Sequence, residues 1–394
     1  MTTGPSQSRA ESWAATMQGH LAGETSHGDG SDVGVSGPQI RLSHSDSWAG
    51  SGANRLVERA EREAHEDDAL SPLATRAFDG GNRMIAEQPD PLRTCFERDR
   101  DRILHASSFR RLAGKTQVFV FPQDHQRTRL THALEVAQVA SAVSRGLGLN
   151  VTLTEAIALG HDCGHGPGGH ASEDALSQFV PNGFDHAVWG ADVTLVPLNL
   201  CTETLDGIRN HSWSRPAPAT PEGEVVSWAD RIAYVCHDFE DAAAAGIVTA
   251  QHLPEQVQQF CGATRSSQLR AFIAAMLAAT QSSGRIGMTA DVADALASFR
   301  KFNYEHIYMR DASRAQAKSV IDLLRALVEH YSAHPHLMGA SNSSTGQIPS
   351  NNSTQAVHDA VTYVGGMTDR FACRQGAALL GWGPSRLPQG IDTN

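Results

Sequence analysis

Length, composition and charge exclude several classes of protein before any motif is considered. The chain has 394 residues, 40% hydrophobic and 19% charged, which is ordinary for a soluble protein of about two or three domains. Its formal net charge of −11 argues against a general nucleic-acid coat protein. No apolar run reaches the ~18 residues of a membrane span, and residues 1–20 lack the pattern of a secretory signal, so we expect a cytoplasmic protein.

Cysteine and histidine usage give the first indication of chemistry. The six cysteines are widely spaced without a C-x-x-C pair, so we expect neither a disulfide framework nor a zinc–thiolate site, which fits a reducing cytoplasm. The 19 histidines are an unusually large number, and several of them lie between residues 161 and 186.

The N-terminal half begins without periodicity and then becomes helical. Residues 1–55 are rich in Gly, Ser, Asp and His, which predicts a disordered arm. The apolar spacing then predicts helices over 134–147, 152–162, 172–179 and 224–245. Thr152 and Glu155 form a capping-box signature at the start of the second helix. Alternation over 117–121 predicts one brief strand.

The C-terminal half continues the helical pattern. Further helices are predicted over 269–280, 289–310, 313–331 and 354–373. Between the last two, the low-complexity stretch 341–354 predicts a flexible surface loop. We therefore expect an all-α protein, with a principal domain over 90–250 and a C-terminal helical region over 251–380 that completes the fold.

Four side chains from three predicted helices form a candidate metal site. They are His132, His161, Asp162 and Asp230. His161 and Asp162 are adjacent and can reach one ion only where the backbone turns, and a glycine flanks the pair on each side. Two imidazoles and two carboxylates leave room for water, and such a set suits Mn, Fe, Co or Mg more than structural zinc.

The segment 161–170, HDCGHGPGGH, places three histidines and an aspartate within ten residues. The small residues between them let these side chains crowd around one centre, although the segment taken alone also fits a metal-scavenging or flexible loop. Cys163 fits a small core residue better than a nucleophile, because no cation adjoins it to stabilise a thiolate.

Six segments, in chain order, resemble one known family. They are ERDRDRILHASSFRRLAGKTQVFVF (97–121), RTRLTHALEVAQVA (127–140), HDCGHGPGGHASEDAL (161–176), NGFDHAVWGADV (182–193), WADRIAYVCHDFEDA (228–242) and GGMTDRFA (365–372). They resemble the HD-domain superfamily of phosphohydrolases, and within it the bacterial deoxyguanosinetriphosphate triphosphohydrolase-like family. The resemblance extends over about 93–375.

The resemblance implies both a fold and an activity. It implies an all-α HD-domain helical fold with additional C-terminal helices, the phosphohydrolase domain lying within 90–250. It also implies metal-dependent hydrolysis of a deoxynucleoside triphosphate, dGTP above all, to deoxynucleoside and inorganic triphosphate. A divalent metal ion and self-association into a homo-oligomer are implied as well.

Roles for individual residues follow from the same resemblance. His132, His161, Asp162 and Asp230 match metal ligands, and His165, His186 and Glu173 match catalytic positions. Substrate-binding positions are matched by Gln117, Arg129, Arg231, Tyr234 and Asp238. The spacing of Asp230, Tyr234 and Asp238 places all three on one helix face. The triphosphate can be neutralised by Arg129, Arg231 and Lys115, and either Glu173 or Asp185 can keep a histidine acid charged.

Three departures from the family pattern bear on substrate choice and rate. Gly168 stands where the family commonly has Phe, Ala187 where it has Asn, and Arg231 where bacterial members have an acidic residue. Two alternatives therefore stay open. One is another HD-type nucleotide phosphohydrolase, and the other is a non-catalytic protein that binds nucleotides or single-stranded nucleic acid.

Overall fold

The computed structural model describes residues 11, 19–21, 40–44, 46, 47, 50–52, 55–122 and 125–389. Most of the predicted N-terminal arm lies outside these residues. Within residues 1–56, which form a unit of their own, two short strands pair antiparallel, β1 (His20–Leu21) and β2 (Arg41–Leu42).

The described part of residues 57–394 is built from fifteen α-helices. The first eight are α1 (Arg59–Ala69), α2 (Cys95–His105), α3 (Ser107–Arg111), α4 (Arg129–Leu147), α5 (Val151–Gly160), α6 (His170–Leu176), α7 (His186–Trp189) and α8 (Thr202–Asn210). The others are α9 (Pro221–Ala244), α10 (Glu255–Cys261), α11 (Arg265–Ser283), α12 (Ala290–Asn303), α13 (Asp311–Ala333), α14 (Thr354–Gly365) and α15 (Asp369–Leu380). The all-α prediction is confirmed.

Three helices form the centre of this unit. α4, α5 and α9 pack against one another, and α2 and α8 pack on α5. Their shared core is fully buried and includes Val136, Val139, Leu153, Ile157 and Ile232. α4 ends at Leu147 and is capped by Gly148, whose left-handed φ of 67° suits a residue without a Cβ. This packing fixes the ends of α4 and α5 and the middle of α9 relative to one another.

A second hydrophobic cluster gathers around α13. Its buried side chains recur at the helical period, in the order Val320, Leu323, Leu324, Leu327 and Val328. This apolar stripe packs against α6, α14 and α15. The C-terminal helices are therefore anchored on α6, the helix that directly follows the histidine-rich loop.

Two local predictions fail at segment boundaries. No strand forms over 117–121, because Phe119 and Val120 are both buried and so do not alternate between two faces. The capping box at Thr152 is wrong as well. α5 begins one residue earlier, and the side chain of Asn150 caps it by accepting from the Leu153 amide.

The predicted helix over 354–373 is two helices. α14 ends at Gly365, and α15 begins after Thr368, whose backbone is extended (φ −88°, ψ 160°). The break places the Asp369 side chain at the start of a new helix.

Within the part of the chain that the structure describes, no helix combines the length and apolar character that a bilayer crossing requires.

Candidate active site

The four predicted metal ligands lie together where three helices meet. His132 is in the first turn of α4, His161 and Asp162 follow α5, and Asp230 lies midway along α9. His132 Nε2 is 3.1 Å from Asp230 Oδ1. His161 Nε2 is 3.4 Å from Asp162 Oδ1 and 3.7 Å from Asp230 Oδ1. Ligand atoms of His132, His161 and Asp230 all lie within 4.8 Å of one another, and Asp162 forms a second such group with His161 and His211.

The ring of His161 presents a free lone pair to this centre. Its Nδ1 lies 2.6 Å from the Ala158 carbonyl oxygen, so Nδ1–H donates there and Nε2 carries no proton in the neutral ring. His161 Nε2 is buried and has no hydrogen-bond partner among the described residues. A buried lone pair facing the carboxylates of Asp162 and Asp230 is the arrangement that a divalent cation satisfies.

Arg129 connects this centre to a cationic side. Its Nη1 donates to Asp162 Oδ2 at 2.7 Å, and both side chains are buried. Burial opposes the charged form of Asp162, but the Arg129 guanidinium outweighs it and holds the pKa of Asp162 well below its ordinary value. Arg129 Nε and Nη2 are buried without a partner among the residues described, which leaves these two nitrogen atoms to donate to an anion.

Beside the metal-ligand cluster, two histidine rings are stacked. His165 and His186 have ring centroids 3.7 Å apart and planes at 15°. His186 Nδ1 lies 2.7 Å from Glu173 Oε1, which also accepts from the His186 amide at 3.0 Å. Asp185 instead caps α7, accepting from the Ala187 amide at 2.9 Å. Glu173 is therefore the acidic partner of the His186 ring.

The electrostatic environments of the two rings are opposite. Burial opposes the charged form of Glu173, yet hydrogen bonds from His170 and His186 hold its pKa well below its ordinary value. Burial likewise opposes charge on His186, but the hydrogen bond to Glu173 and its charge raise the pKa of His186. Burial, together with the charges of Arg129 and His186, holds the pKa of His165 far below its ordinary value. His186 is thus suited to carry a proton, and His165 to stay neutral.

Glycine is required at two points of the loop 164–169. A Cβ on Gly164 would collide with the backbone of His186 and Gly190. Gly169 has a φ of 63°, and a Cβ there would lie 2.7 Å from Arg129 Nη2. These close approaches bring the loop against both the histidine stack and the buried guanidinium.

Asp369, at the start of α15, anchors this loop. Its Oδ1 accepts from the Gly168 amide at 2.8 Å, and its Oδ2 accepts from Thr116 Oγ1 at 2.6 Å. The side chain is 5% exposed. The C-terminal helices therefore help to set the shape of the site. The segment GGMTDR contributes to the site through Asp369, which holds the loop.

Lys115 anchors the same loop from another side. Its Nζ donates to the carbonyl oxygens of His165 and Gly365. Burial lowers the pKa of Lys115 to about 8. The sequence predicts that Lys115 neutralises the triphosphate. In the structure its ammonium group instead donates hydrogen bonds to backbone carbonyl oxygens.

The outer part of α9 carries the remaining predicted substrate residues. The Arg231 guanidinium lies 4.7 Å from the Trp213 ring centroid and 5.9 Å from that of Tyr234. The Tyr234 hydroxyl is buried and lacks a partner within the described ranges. Next to them is an open cavity of about 530 Å³, lined partly by Trp213, Trp228 and Arg300.

Two turns beyond Asp230, Asp238 meets a tyrosine. Tyr308 donates its hydroxyl to Asp238 Oδ2 at 2.5 Å, while Asp238 Oδ1 is buried without a partner in the described structure. Burial raises the pKa of Asp238 to about 7. Gln117 similarly has a buried Oε1 that no described residue satisfies. These polar atoms are therefore buried without a hydrogen-bond partner among the described residues.

His211 is a site residue that sequence reasoning missed. It follows α8, its Nε2 is 3.3 Å from His186 Nε2, and its ring centroid is 5.0 Å from that of His161. Burial, with the charges of His161 and His186, lowers the pKa of His211 to about 3. Only the high histidine count pointed towards it, because no spacing rule connects it to the predicted site residues.

Two family models match the chain. The HD domain matches residues 129–235, which include all four candidate metal ligands. The phosphohydrolase-associated domain matches residues 286–377, which include Asp369.

Curated relatives match over most of the chain. A deoxyguanosinetriphosphate triphosphohydrolase-like protein of Clostridium perfringens (strain SM101 / Type A) is 37% identical over 80% of this chain and 96% of its own length. Relatives described in the same words come from Caldanaerobacter subterraneus subsp. tengcongensis, 36% identical over 77% of this chain and 90% of that one, and from Deinococcus radiodurans, 34% identical over 83% and 100%. Among solved structures, a hypothetical protein from Aquifex aeolicus aligns over 58% of this chain and 60% of that one, at 17% identity and a TM-score of 0.40, a likeness too weak to carry an argument.

Proposed function

Because the chain belongs to the deoxyguanosinetriphosphate triphosphohydrolase-like family of HD-domain phosphohydrolases, we propose that it hydrolyses a deoxynucleoside triphosphate to deoxynucleoside and inorganic triphosphate. We propose dGTP as the preferred substrate. One observation carries the proposal: Asp162 Oδ1 lies 3.4 Å from His161 Nε2 and 3.8 Å from His186 Nε2. A cation-binding set and a proton-bearing histidine therefore adjoin one another.

A single divalent metal ion is the proposed cofactor. His132, His161, Asp162 and Asp230 would hold it, and the unpartnered Nε2 of His161 supports that assignment. Bound there, a divalent ion supplies charge neutralisation and a lowered pKa for a water molecule. The mixed nitrogen and oxygen donors suit Mn, Mg, Fe or Co.

His186 is the proposed general acid. Hydrolysis at the α-phosphorus leaves the sugar 5′-oxygen as an alkoxide unless a proton reaches it. The carboxylate of Glu173 keeps His186 charged, and this supports proton delivery from the His186 ring. His165 is proposed to stay neutral and to line the reaction centre against the stacked face of His186.

The triphosphate and the sugar are assigned to different side chains. Arg129 offers two unpartnered donor nitrogens, and Arg231 is held by two aromatic rings, so both are proposed to bind phosphate oxygens. Gln117, Tyr234 and Asp238 have buried polar atoms that no described residue satisfies, which supports their assignment to the phosphate–sugar junction.

Identifying the products tests this proposal. The purified protein is incubated with Mn²⁺ or Mg²⁺ and one nucleotide at a time, and the products are separated by anion exchange. We expect nucleoside and intact triphosphate from dGTP, and none from the matched variant Asp162→Ala. Stepwise orthophosphate or pyrophosphate release would assign another HD-type phosphohydrolase, and binding without turnover would assign a non-catalytic nucleotide-binding protein.

A homo-oligomer and a cytoplasmic location remain predictions.

A further inference from the structure

His211 lies inside the site, yet none of the roles proposed above uses it. It is 2% exposed, directly after α8. Its backbone is fixed as well, because Ser227 of α9 donates its hydroxyl to the His211 carbonyl oxygen at 2.6 Å. A buried polar ring held from two helices is costly unless its nitrogen atoms are used.

Both ring nitrogens of His211 are used. Nδ1 lies 2.7 Å from the Ile208 carbonyl oxygen, so Nδ1–H donates there and Nε2 is the acceptor in the neutral ring. That Nε2 faces His186 Nε2 at 3.3 Å. A hydrogen bond between these two nitrogens needs one proton.

The proton on this contact belongs to His186. Glu173 accepts from His186 Nδ1 at 2.7 Å, so the ring with the carboxylate partner is the one that can bear both N–H groups. No carboxylate is bonded to the His211 ring in the described residues; its partners are a backbone carbonyl and His186. The three side chains thus form a chain of hydrogen bonds from Glu173 through His186 to His211.

We propose that His211 is a positioning residue: before substrate arrives, its Nε2 accepts the Nε2–H of His186 and fixes the orientation of that ring, and the same Nε2–H is the proton that His186 then delivers to the sugar 5′-oxygen. The proposal rests on the function proposed above, in which His186 supplies the proton. The His186 ring is then held at three points: Glu173 at Nδ1, His211 at Nε2 and His165 against its face.

Two variants separate this role from packing and from metal binding. His211→Phe keeps a ring of similar size and removes the acceptor, whereas His211→Gln keeps an acceptor at the same distance along the side chain. Metal content is measured in both, since His211 also lies near His161 and Asp162 in a group whose ligand atoms are within 4.8 Å of one another.

The first test needs no substrate. The protein is labelled with ¹⁵N-histidine and loaded with diamagnetic Zn²⁺, and the slowly exchanging ring N–H resonances are recorded. Two ring N–H resonances of His186 are identified by their loss in His186→Ala; the one that Glu173→Gln perturbs is Nδ1–H, and the other is Nε2–H. We expect it in the wild type and in His211→Gln, and not in His211→Phe. Its persistence in His211→Phe would overturn the proposal, whatever reaction the protein catalyses.

The second test is a double-mutant cycle on turnover. We expect His211→Phe to lower kcat about ten-fold or more with KM and metal content unchanged, and His211→Gln to recover most of that loss. In a His186→Ala background, His211→Phe should change kcat by less than about two-fold. If His211→Phe lowers kcat by the same factor in both backgrounds, or if it removes the metal, the proposal is overturned. If the wild-type protein releases no triphosphate, only the proposed function is wrong. The Nε2–H resonance of His186 then decides the role of His211.

Discussion

His132 and Asp230 approach one another from α4 and α9, with 3.1 Å between His132 Nε2 and Asp230 Oδ1. They are 98 residues apart in the sequence, so the packing of the two helices creates the contact. Burial opposes the charged form of His132, but Asp230 outweighs it and raises the pKa of His132. In the metal-free protein a proton therefore occupies a position that a metal ion needs.

Metal affinity should consequently depend on pH. Because the pKa of His132 is raised, its proton is retained to a higher pH than in a free histidine, and binding must displace it. We expect affinity to rise with pH until it passes the raised pKa, and then to level off. Calorimetric titration with Mn²⁺ at several pH values measures this affinity. An affinity that does not change between pH 5 and pH 8 would contradict the prediction.

Loss of one ligand should remove the ion. Asp162→Ala deletes a carboxylate that faces His161 and is bonded to Arg129, so we expect metal content to fall from about one ion per chain to near zero. Asp238→Asn is the matched control, since Asp238 is bonded to Tyr308 and lies two helical turns from Asp230. Elemental analysis that finds equal metal in wild type and Asp162→Ala would remove Asp162 from the ligand set.

Much of the fold, and the shared helix face of three candidate site residues, could be predicted because both depend on local spacing. The apolar stripe of α13 has the helical period, and Asp230, Tyr234 and Asp238 share a face at four-residue intervals. His211 could not be found this way, since its place beside His186 is created by the packing of α8. The apolar spacing over 354–373 also did not indicate the break between α14 and α15, where the backbone of Thr368 is extended.

Removal of the proposed acid should separate turnover from metal binding. We expect His186→Ala to retain its metal and to lower kcat by about 10² to 10⁴, the usual contribution of a positioned proton donor. His165→Ala is the comparison, since His165 stacks on the same ring with its pKa far below the ordinary value. A folded, metal-loaded His186→Ala with nearly wild-type turnover would exclude His186 as the acid.

The pH profile tests the partner of that acid. With a raised pKa, His186 stays charged to higher pH, so the rate should fall as pH rises through that pKa. Glu173→Gln removes the carboxylate that raises it, and we expect the alkaline limb to move to lower pH. An alkaline limb at the same pH in both proteins would show that another group produces it.

Discrimination between deoxyribose and ribose should depend on Gln117. Its buried Oε1 lacks a partner among the residues described and can accept from a sugar hydroxyl, with Asp238 on the same ligand. Gln117→Ala opens space for a 2′-hydroxyl, so we expect the ratio of kcat/KM for dGTP over GTP to fall about ten-fold. Gln138→Ala, exposed on α4, is the control and should leave the ratio unchanged. An unaltered ratio in Gln117→Ala would place the discrimination elsewhere.

Asp369 should stabilise the protein through the catalytic loop. Asp369→Ala leaves the partly buried Gly168 amide and the buried Thr116 hydroxyl without their acceptor, and we expect the free energy of unfolding to fall by about 3 kcal/mol. Asp322→Ala removes an exposed partner of Lys318 and should cost less than about 0.5 kcal/mol. Urea unfolding measures both. Because Gly168 belongs to the loop that carries His165, kcat should also fall in Asp369→Ala under conditions where it remains folded. Equal stability in the two variants would mean that the C-terminal helices do not hold this loop.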